Sequence, residues 1–223
     1  MKKIRINPHL AIILATGSVW GMTEFLFGLG LQKCATLYTG AILTGIAFFW
    51  ISFTWSVTRS IIPVLMITAI AITFKLFDAI LLPVAWNHGS ILNPIFAFLM
   101  QITGFILLIS LFGSRFTKGS LDRVLLGAGA AAIAVALFPL VRFATGVPAC
   151  LYAATNIPLV YHTAPVAIGI TMITVPLGYF AAASYLKMIR EKNTNLQHSF
   201  AYRFWSPAVI IGCLLVIILF RII

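Results

Sequence analysis

Acidic residues are almost absent from this sequence, since only four of its 223 residues are Asp or Glu, against fifteen Lys or Arg. Charged residues of both signs make up 9% of the chain, whereas a soluble domain carries roughly 25%. Hydrophobic residues make up 61%, and the mean hydropathy is +1.08. These proportions exclude a water-soluble fold and predict an all-α, polytopic transmembrane helical bundle.

Sequence motifs of known chemistry are also lacking. The three cysteines have no CxxC or other metal-ligand spacing, and the histidines are isolated from one another, so we expect no metal site and no cofactor. No GxSxG, HExxH or Walker sequence occurs. The sequence therefore offers no catalytic residue and favours a protein that is not an enzyme. The basic residues are dispersed among loops, which argues against a nucleic-acid partner.

Long apolar runs make up most of the sequence. The length of each run is close to the 20 residues that a membrane-spanning helix needs. They predict one integral membrane domain over residues 1–223 with about seven spans, at 9–31, 36–57, 61–83, 92–112, 124–141, 163–186 and 204–222. Residues 142–162 contain Pro148 and Pro158 and are predicted to be a structured outer loop or a re-entrant segment.

The basic residues are distributed unevenly between the two sides of these predicted spans. With the N-terminus inside, the inner segments hold Lys2, Lys3, Arg5, Arg59, Arg115, Lys118, Arg123, Lys187, Arg190, Lys192 and Arg203. The outer segments hold only Lys33, Arg142 and Arg221. The positive-inside rule then predicts a cytoplasmic N-terminus and an outer C-terminus in a bacterial inner membrane. Cys34 and Cys150 fall on the outer side. Their sequence positions leave open whether they form a disulfide, and unpaired apolar cysteines are the commoner case.

Three ionisable residues lie within the predicted spans, where charge is costly and is usually retained for function. Glu24 is on the first span, and Lys75 and Asp78 share a face of the third. Together they would form a charge-compensated cluster in the outer half of the bundle. A purely structural ion pair and a ligand-facing cluster explain these residues equally well.

Polar residues on neighbouring segments favour the ligand-facing interpretation. Asn87 and His88 occupy the next outer loop, Asn93 opens the fourth helix and Gln101 lies near its middle. Convergent polar groups in an apolar surround are typical of sites for small polar ligands. We therefore expect an outward-facing substrate-binding pocket formed by Glu24, Lys75, Asp78, Asn87, His88, Asn93 and Gln101.

Small residues form a stripe on the first helix, at Ala11, Ala15, Gly17 and Gly21. Such stripes let helix backbones approach closely, most often within one bundle and less often against a partner subunit. The stripe, the size of the chain and the outward polar pocket resemble the substrate-capture (S) subunits of energy-coupling-factor vitamin importers. In that family an AxxxA stripe on the first helix, matched here by Ala11 and Ala15, docks against a coupling protein. The family has six spans, so a seventh helix would be an addition.

The resemblance implies capture of a solute near the outer face, with separate subunits supplying energy. The leading hypothesis is therefore a transport protein that captures or moves a small polar solute through an outward pocket. The alternative is a membrane-anchor or quinone-site subunit of a redox or assembly complex, in which the small-residue faces contact other membrane subunits and the charges are structural.

Overall fold

The computed structural model describes residues 8–28, 38–81, 85–116, 119–152, 155–192 and 200–222. The helices are α1 (Pro8–Gly28), α2 (Thr39–Thr58), α3 (Ile61–Leu81), α4 (Gly89–Phe116), α5 (Ser120–Leu137), α6 (Val141–Thr145), α7 (Leu159–Lys192) and α8 (Phe200–Ile222). One turn of 3₁₀ helix, Phe138–Leu140, joins α5 to α6. Across these ranges there is no β-strand beyond an isolated bridge between Leu151 and Pro158, so the predicted all-α class is confirmed.

Among the described residues, five helices are long and apolar enough to cross a membrane: α1, α2, α4, α5 with its continuation, and α7. The apolar stretches of α3 and α8 are shorter, at Ile61–Phe77 and Pro207–Leu219. Many large apolar side chains point away from the protein; Phe180, for example, is 69% exposed. Exposed apolar surface on this scale is expected where helices face acyl chains rather than water.

Several helices begin before the predicted spans, among them the fourth and the seventh. The fourth begins at Gly89, so Pro94 lies inside the helix and not in its first turn. His88 explains the early start, because the Ser90 backbone N–H donates to its Nδ1 atom at 3.2 Å, which caps the helix. The seventh begins at Leu159 and continues through Pro165 and Pro176 to Lys192.

Close backbone approaches define the directions of the helices. Gly17 of α1 faces Ile70 of α3, and Gly21 faces Phe74, so these two helices are parallel. In the same way α2 runs parallel to α7. Gly45 faces Ile170, and the Ser52 hydroxyl donates to the Val175 carbonyl at 3.3 Å.

The helix α5 runs antiparallel to α7, because Arg123 contacts Tyr179 whereas Gly127 faces Val175. The chain between these helices therefore leaves and re-enters the bundle at the same end. We call this the loop end, where α5 finishes at Leu137 and α7 begins at Leu159. The opposite end, where α2 finishes at Thr58 and α5 begins at Ser120, is the basic end.

The core lies where α1, α2, α4 and α7 meet. Trp20, Phe48, Phe98 and Phe105 are almost fully buried there, and the Trp20 and Phe98 rings lie 5.2 Å apart. The last helix, α8, packs outside this core, with Cys213 and Ile217 against Phe25 and Phe74. In this arrangement α2 is a central helix, because it packs against α1, α3, α4 and α7.

Candidate functional site

A small cavity lies towards the loop end, between α2, α4, α5 and α7. Its volume is about 30 Å³, and it is lined by Thr44, Ala97, Gln101, Ala134, Val135, Phe138 and Val160. By that measure it has room for about two water molecules. Most of its wall is apolar, so its two polar residues, Thr44 and Gln101, determine which group can bind.

Gln101 is buried at 5% exposure, and its hydrogen bonds fix the orientation of its amide. The Thr44 hydroxyl donates to the Gly40 carbonyl at 2.8 Å, so the Thr44 oxygen is left as an acceptor for the Gln101 Nε2 group at 3.3 Å. The other polar atom of the Gln101 amide, Oε1, is buried with no hydrogen-bond partner. A buried unpartnered acceptor costs about 1–3 kcal/mol, which a bound donor group would recover.

The segment between α5 and α7, here called the covering segment, lies at the loop end against the start of α4, where Val147 faces Gly89. Its chain is held by the Leu151–Pro158 bridge and by a Tyr152–His162 ring stack with centroids 4.1 Å apart. Cys150 is disulfide-bonded, so the expectation that it is unpaired is wrong; Cys34 lies outside the described residues. Cys213 is a free, buried thiol.

Glu24 and Lys75 are both buried, at 3% and 5% exposure, and neither is without an interaction partner. In the two facing pairs, Gly17 with Ile70 and Gly21 with Phe74, the α3 residue lies 53 positions after its α1 partner. By the same relation, Glu24 lies level with Phe77. The axial separation of Glu24 from Lys75 is therefore about 3 Å, at 1.5 Å per residue. The two helices thus carry their buried charges at one depth, but neither residue lines the cavity beside Gln101.

The other predicted site residues have different roles. Asn87 and His88 are exposed, and His88 caps α4, with its Nδ1 atom also 2.8 Å from the Ser90 hydroxyl. Asn93 donates to the Pro148 carbonyl at 3.5 Å and so ties α4 to the covering segment. The Asn93 Oδ1 atom is buried without a partner. The side chain of Asp78 lies outside the described part of the chain.

The predicted docking stripe is buried inside the protein. Ala11 and Ala15 are 8% and 4% exposed. Gly17 and Gly21 lie against α3, where a Cβ atom on Gly21 would meet the Phe74 Cβ at 2.6 Å. Gly17 and Gly21 therefore serve packing between α1 and α3, and Ala11 and Ala15 are covered by the rest of the bundle.

A polar cluster at the basic end was not anticipated as a site. It comprises Trp55 and Arg59 on α2 and its C-cap, Arg123 on α5 and Tyr179 on α7. In the sequence, both arginines are explained by membrane topology alone. The spacing of Trp55 and Arg59, one helical turn apart, was the available signal, because residues four apart share a helix face.

No protein-family model, curated protein or solved structure matches this chain. Within the described ranges, no group of three or more His, Cys, Asp or Glu side chains is placed to hold a metal ion. The arrangement of polar groups is therefore the basis for assigning a function.

Proposed function

We propose that this protein captures a small polar solute from the outer side of a bacterial inner membrane, in the cavity beside Gln101. The observation that carries the proposal is the Gln101 Oε1 atom, which is buried, unpartnered and placed at a cavity between four helices. Buried polar groups in native proteins are nearly always paired, so an exception is a candidate contact for a ligand or an ordered water.

The cavity selects for a hydrogen-bond donor. The Gln101 amide N–H already binds Thr44, and the remaining oxygen can only accept. An ammonium, amine, amide N–H or hydroxyl group fits this site, whereas a carboxylate does not. At about 30 Å³ the cavity holds such a group or a solute of a few atoms. A ligand that needs a pocket of about 300 Å³ or more requires the covering segment to move outward.

The proposal includes seven spans, with the N-terminus in the cytoplasm and the loop end outside. Two independent features support this orientation. Basic residues concentrate at the opposite end, as the positive-inside rule requires. Cys150, in the covering segment, is disulfide-bonded, and disulfides persist in oxidising compartments such as the periplasm.

In this proposal Glu24 and Lys75 form a charged pair on α1 and α3, apart from the capture cavity and not at its floor. Asn93 ties the covering segment to α4, and His88 shapes the start of α4. No nucleotide-binding sequence is present, so net movement of the solute would depend on an ion gradient or on separate membrane subunits.

The proposal is tested by thermal unfolding of the purified protein in neutral detergent with a panel of small solutes. The panel covers ammonium, primary amines, amides, alcohols and carboxylates. We expect at least one donor-bearing class to raise the unfolding midpoint, and we expect Gln101→Leu to abolish that shift because Leu offers no acceptor.

Thr103→Val is the matched control. Thr103 lies on the same helix, is exposed and bonds only its own helix carbonyl at Leu99. It should respond to the solute as the wild type does. A panel without any stabilising solute, or a Gln101→Leu variant that responds normally, would refute capture at this cavity.

A further inference from the structure

The wall of the cavity beside Gln101 carries no charge. Its seven described lining residues are two neutral polar side chains, Thr44 and Gln101, and five apolar ones. The buried charges of Glu24 and Lys75 lie on α1 and α3, and neither of these helices contributes a described residue to the wall. A ligand in this cavity therefore meets no counter-charge among the described lining residues.

The uncharged wall distinguishes a charged donor from a neutral one. Hydrogen bonding alone would admit an ammonium group, because the Gln101 Oε1 atom accepts from any donor. An ion that leaves water loses far more hydration free energy than a hydroxyl or an amide does, and one neutral acceptor does not replace it. A neutral donor loses less, and a hydrogen bond to the buried Oε1 atom compensates for that loss. The cavity therefore favours an uncharged donor.

The rest of the wall fits an apolar group of limited size. Its apolar residues are two alanines, two valines and Phe138. The Phe138 ring packs edge to face against the buried Phe96 ring, with centroids 6.2 Å apart, which holds it in place. A cavity of about 30 Å³, with room for about two water molecules, limits a ligand to about two or three non-hydrogen atoms. A ligand that fits therefore combines one donor with a methyl-sized apolar part.

We propose that the cavity beside Gln101 selects an uncharged solute of about two or three non-hydrogen atoms, in which one O–H or N–H donor adjoins a small apolar group. This selectivity rests on the proposed capture at the same cavity, and it narrows the donor class named there by excluding cations. Small alcohols have the required chemistry. Ammonium and alkylammonium ions do not, although they offer the same hydrogen bond.

The test compares three probes that have the same number of non-hydrogen atoms: ethanol, ethylammonium and acetonitrile. Ethanol is a neutral donor, ethylammonium is a charged donor at neutral pH, and acetonitrile is neutral and has no N–H or O–H group. Saturation-transfer difference NMR on the purified protein in neutral detergent detects weak binding of each probe through its carbon-bound protons. The signal that remains in Gln101→Leu measures transfer outside the cavity and is subtracted.

Ethanol should give a saturable signal that Gln101→Leu abolishes. The apparent dissociation constants of ethylammonium and acetonitrile should be at least about tenfold higher than that of ethanol. The two reasons differ. Acetonitrile leaves the Gln101 Oε1 atom without a partner, whereas ethylammonium loses its hydration without gaining a counter-charge.

Thr44→Val provides a second measurement if Gln101→Leu fails to fold. Valine keeps the branched shape at position 44 but removes the oxygen that accepts from the Gln101 Nε2 group. The amide can then turn its N–H towards the ligand, so Thr44→Val should bind acetonitrile about fivefold more tightly than the wild type does, while ethylammonium stays weak. Thr103→Val is the matched control, because Thr103 is exposed and bonds only its own helix. It should keep the wild-type order of the three probes.

The selectivity is overturned if ethylammonium or acetonitrile binds at the cavity as tightly as ethanol. It is also overturned if Thr44→Val leaves the preference for ethanol over acetonitrile unchanged, or if ethanol gives no signal that depends on Gln101. These failures are distinguishable from failure of solute capture. A charged or larger solute that stabilises the wild type but not Gln101→Leu would remove the limits on charge and size and leave capture at this cavity supported.

Discussion

The contact between α2 and α7 predicts a severe effect of the smallest possible substitution, Gly178→Ala. A methyl group at this position would meet the Phe49 carbonyl oxygen at 2.6 Å and the Phe53 amide nitrogen at 3.1 Å, and it would also collide with the Ser52 hydroxyl. Two of these three atoms belong to the α2 backbone, which cannot rotate out of the way. The helices must therefore separate.

The size of the effect follows from the separation needed. Ordinary contact begins at 3.4 Å, so α2 and α7 must move apart by about 0.8 Å at this point. A gap of that size removes a quarter to a half of the attraction between the facing atoms. Overpacking typically costs about 1–3 kcal/mol, and the immobile backbone favours a value of about 2–3 kcal/mol. For a chain of this length we expect the unfolding midpoint to fall by about 4–12 °C.

The measurement is thermal unfolding in detergent, and Gly169→Ala on the same helix is the matched control. A methyl group at Gly169 meets nothing within 4 Å, and alanine is a better helix former by about 1 kcal/mol. Gly169→Ala should therefore leave the midpoint unchanged or raise it slightly. Equal midpoints for the two variants would show that α2 and α7 do not approach as closely as described.

Three further predictions concern the charges, the disulfide and the orientation. In a double-mutant cycle, Glu24→Gln and Lys75→Met should couple by about 1–3 kcal/mol, as contacting residues do; additive effects would show that the two buried charges are independent. Reduction should lower the unfolding midpoint by the equivalent of about 2–4 kcal/mol, and Cys150→Ser should remove this sensitivity; an unchanged midpoint on reduction would count against a stabilising disulfide. In a cysteine-free background, a membrane-impermeant thiol reagent applied to spheroplasts should label Asn156→Cys but not Arg115→Cys, and the reverse pattern would invert the topology.

The helices were predictable because the relevant signal is local. A run of about 20 apolar residues forms a helix in lipid almost independently of its neighbours. In the described ranges each helix of 18 residues or more overlaps a predicted span, and five of these helices are long and apolar enough to cross a membrane. The predicted helix boundaries were wrong where a helix end depends on a side-chain contact, which composition does not indicate. The early start of α4 depends on the His88 side chain accepting a hydrogen bond from the Ser90 backbone N–H, which the apolar run beginning at residue 92 does not indicate.

The candidate site was predictable only in part, because burial of one polar atom depends on packing between distant helices. Gln101 was anticipated, but its partner Thr44 is 57 residues away and on another helix. Glu24 and Lys75 were expected to share a pocket with Gln101, yet they lie between a different pair of helices. The grouping of Trp55 with Tyr179 likewise depends on the parallel packing of α2 and α7, for which the sequence holds no direct signal.

The length of α7 has a further consequence for the shape of the molecule in a membrane. Its 34 residues extend about 50 Å at 1.5 Å per residue, whereas the hydrocarbon layer is about 30 Å thick. Even a tilted helix of this length must project from the bilayer. The last turns, with Lys187 and Arg190, would then extend as helix into the aqueous phase. The side chains of this projecting part would be accessible to water-soluble reagents, while lipid shields the rest of the helix.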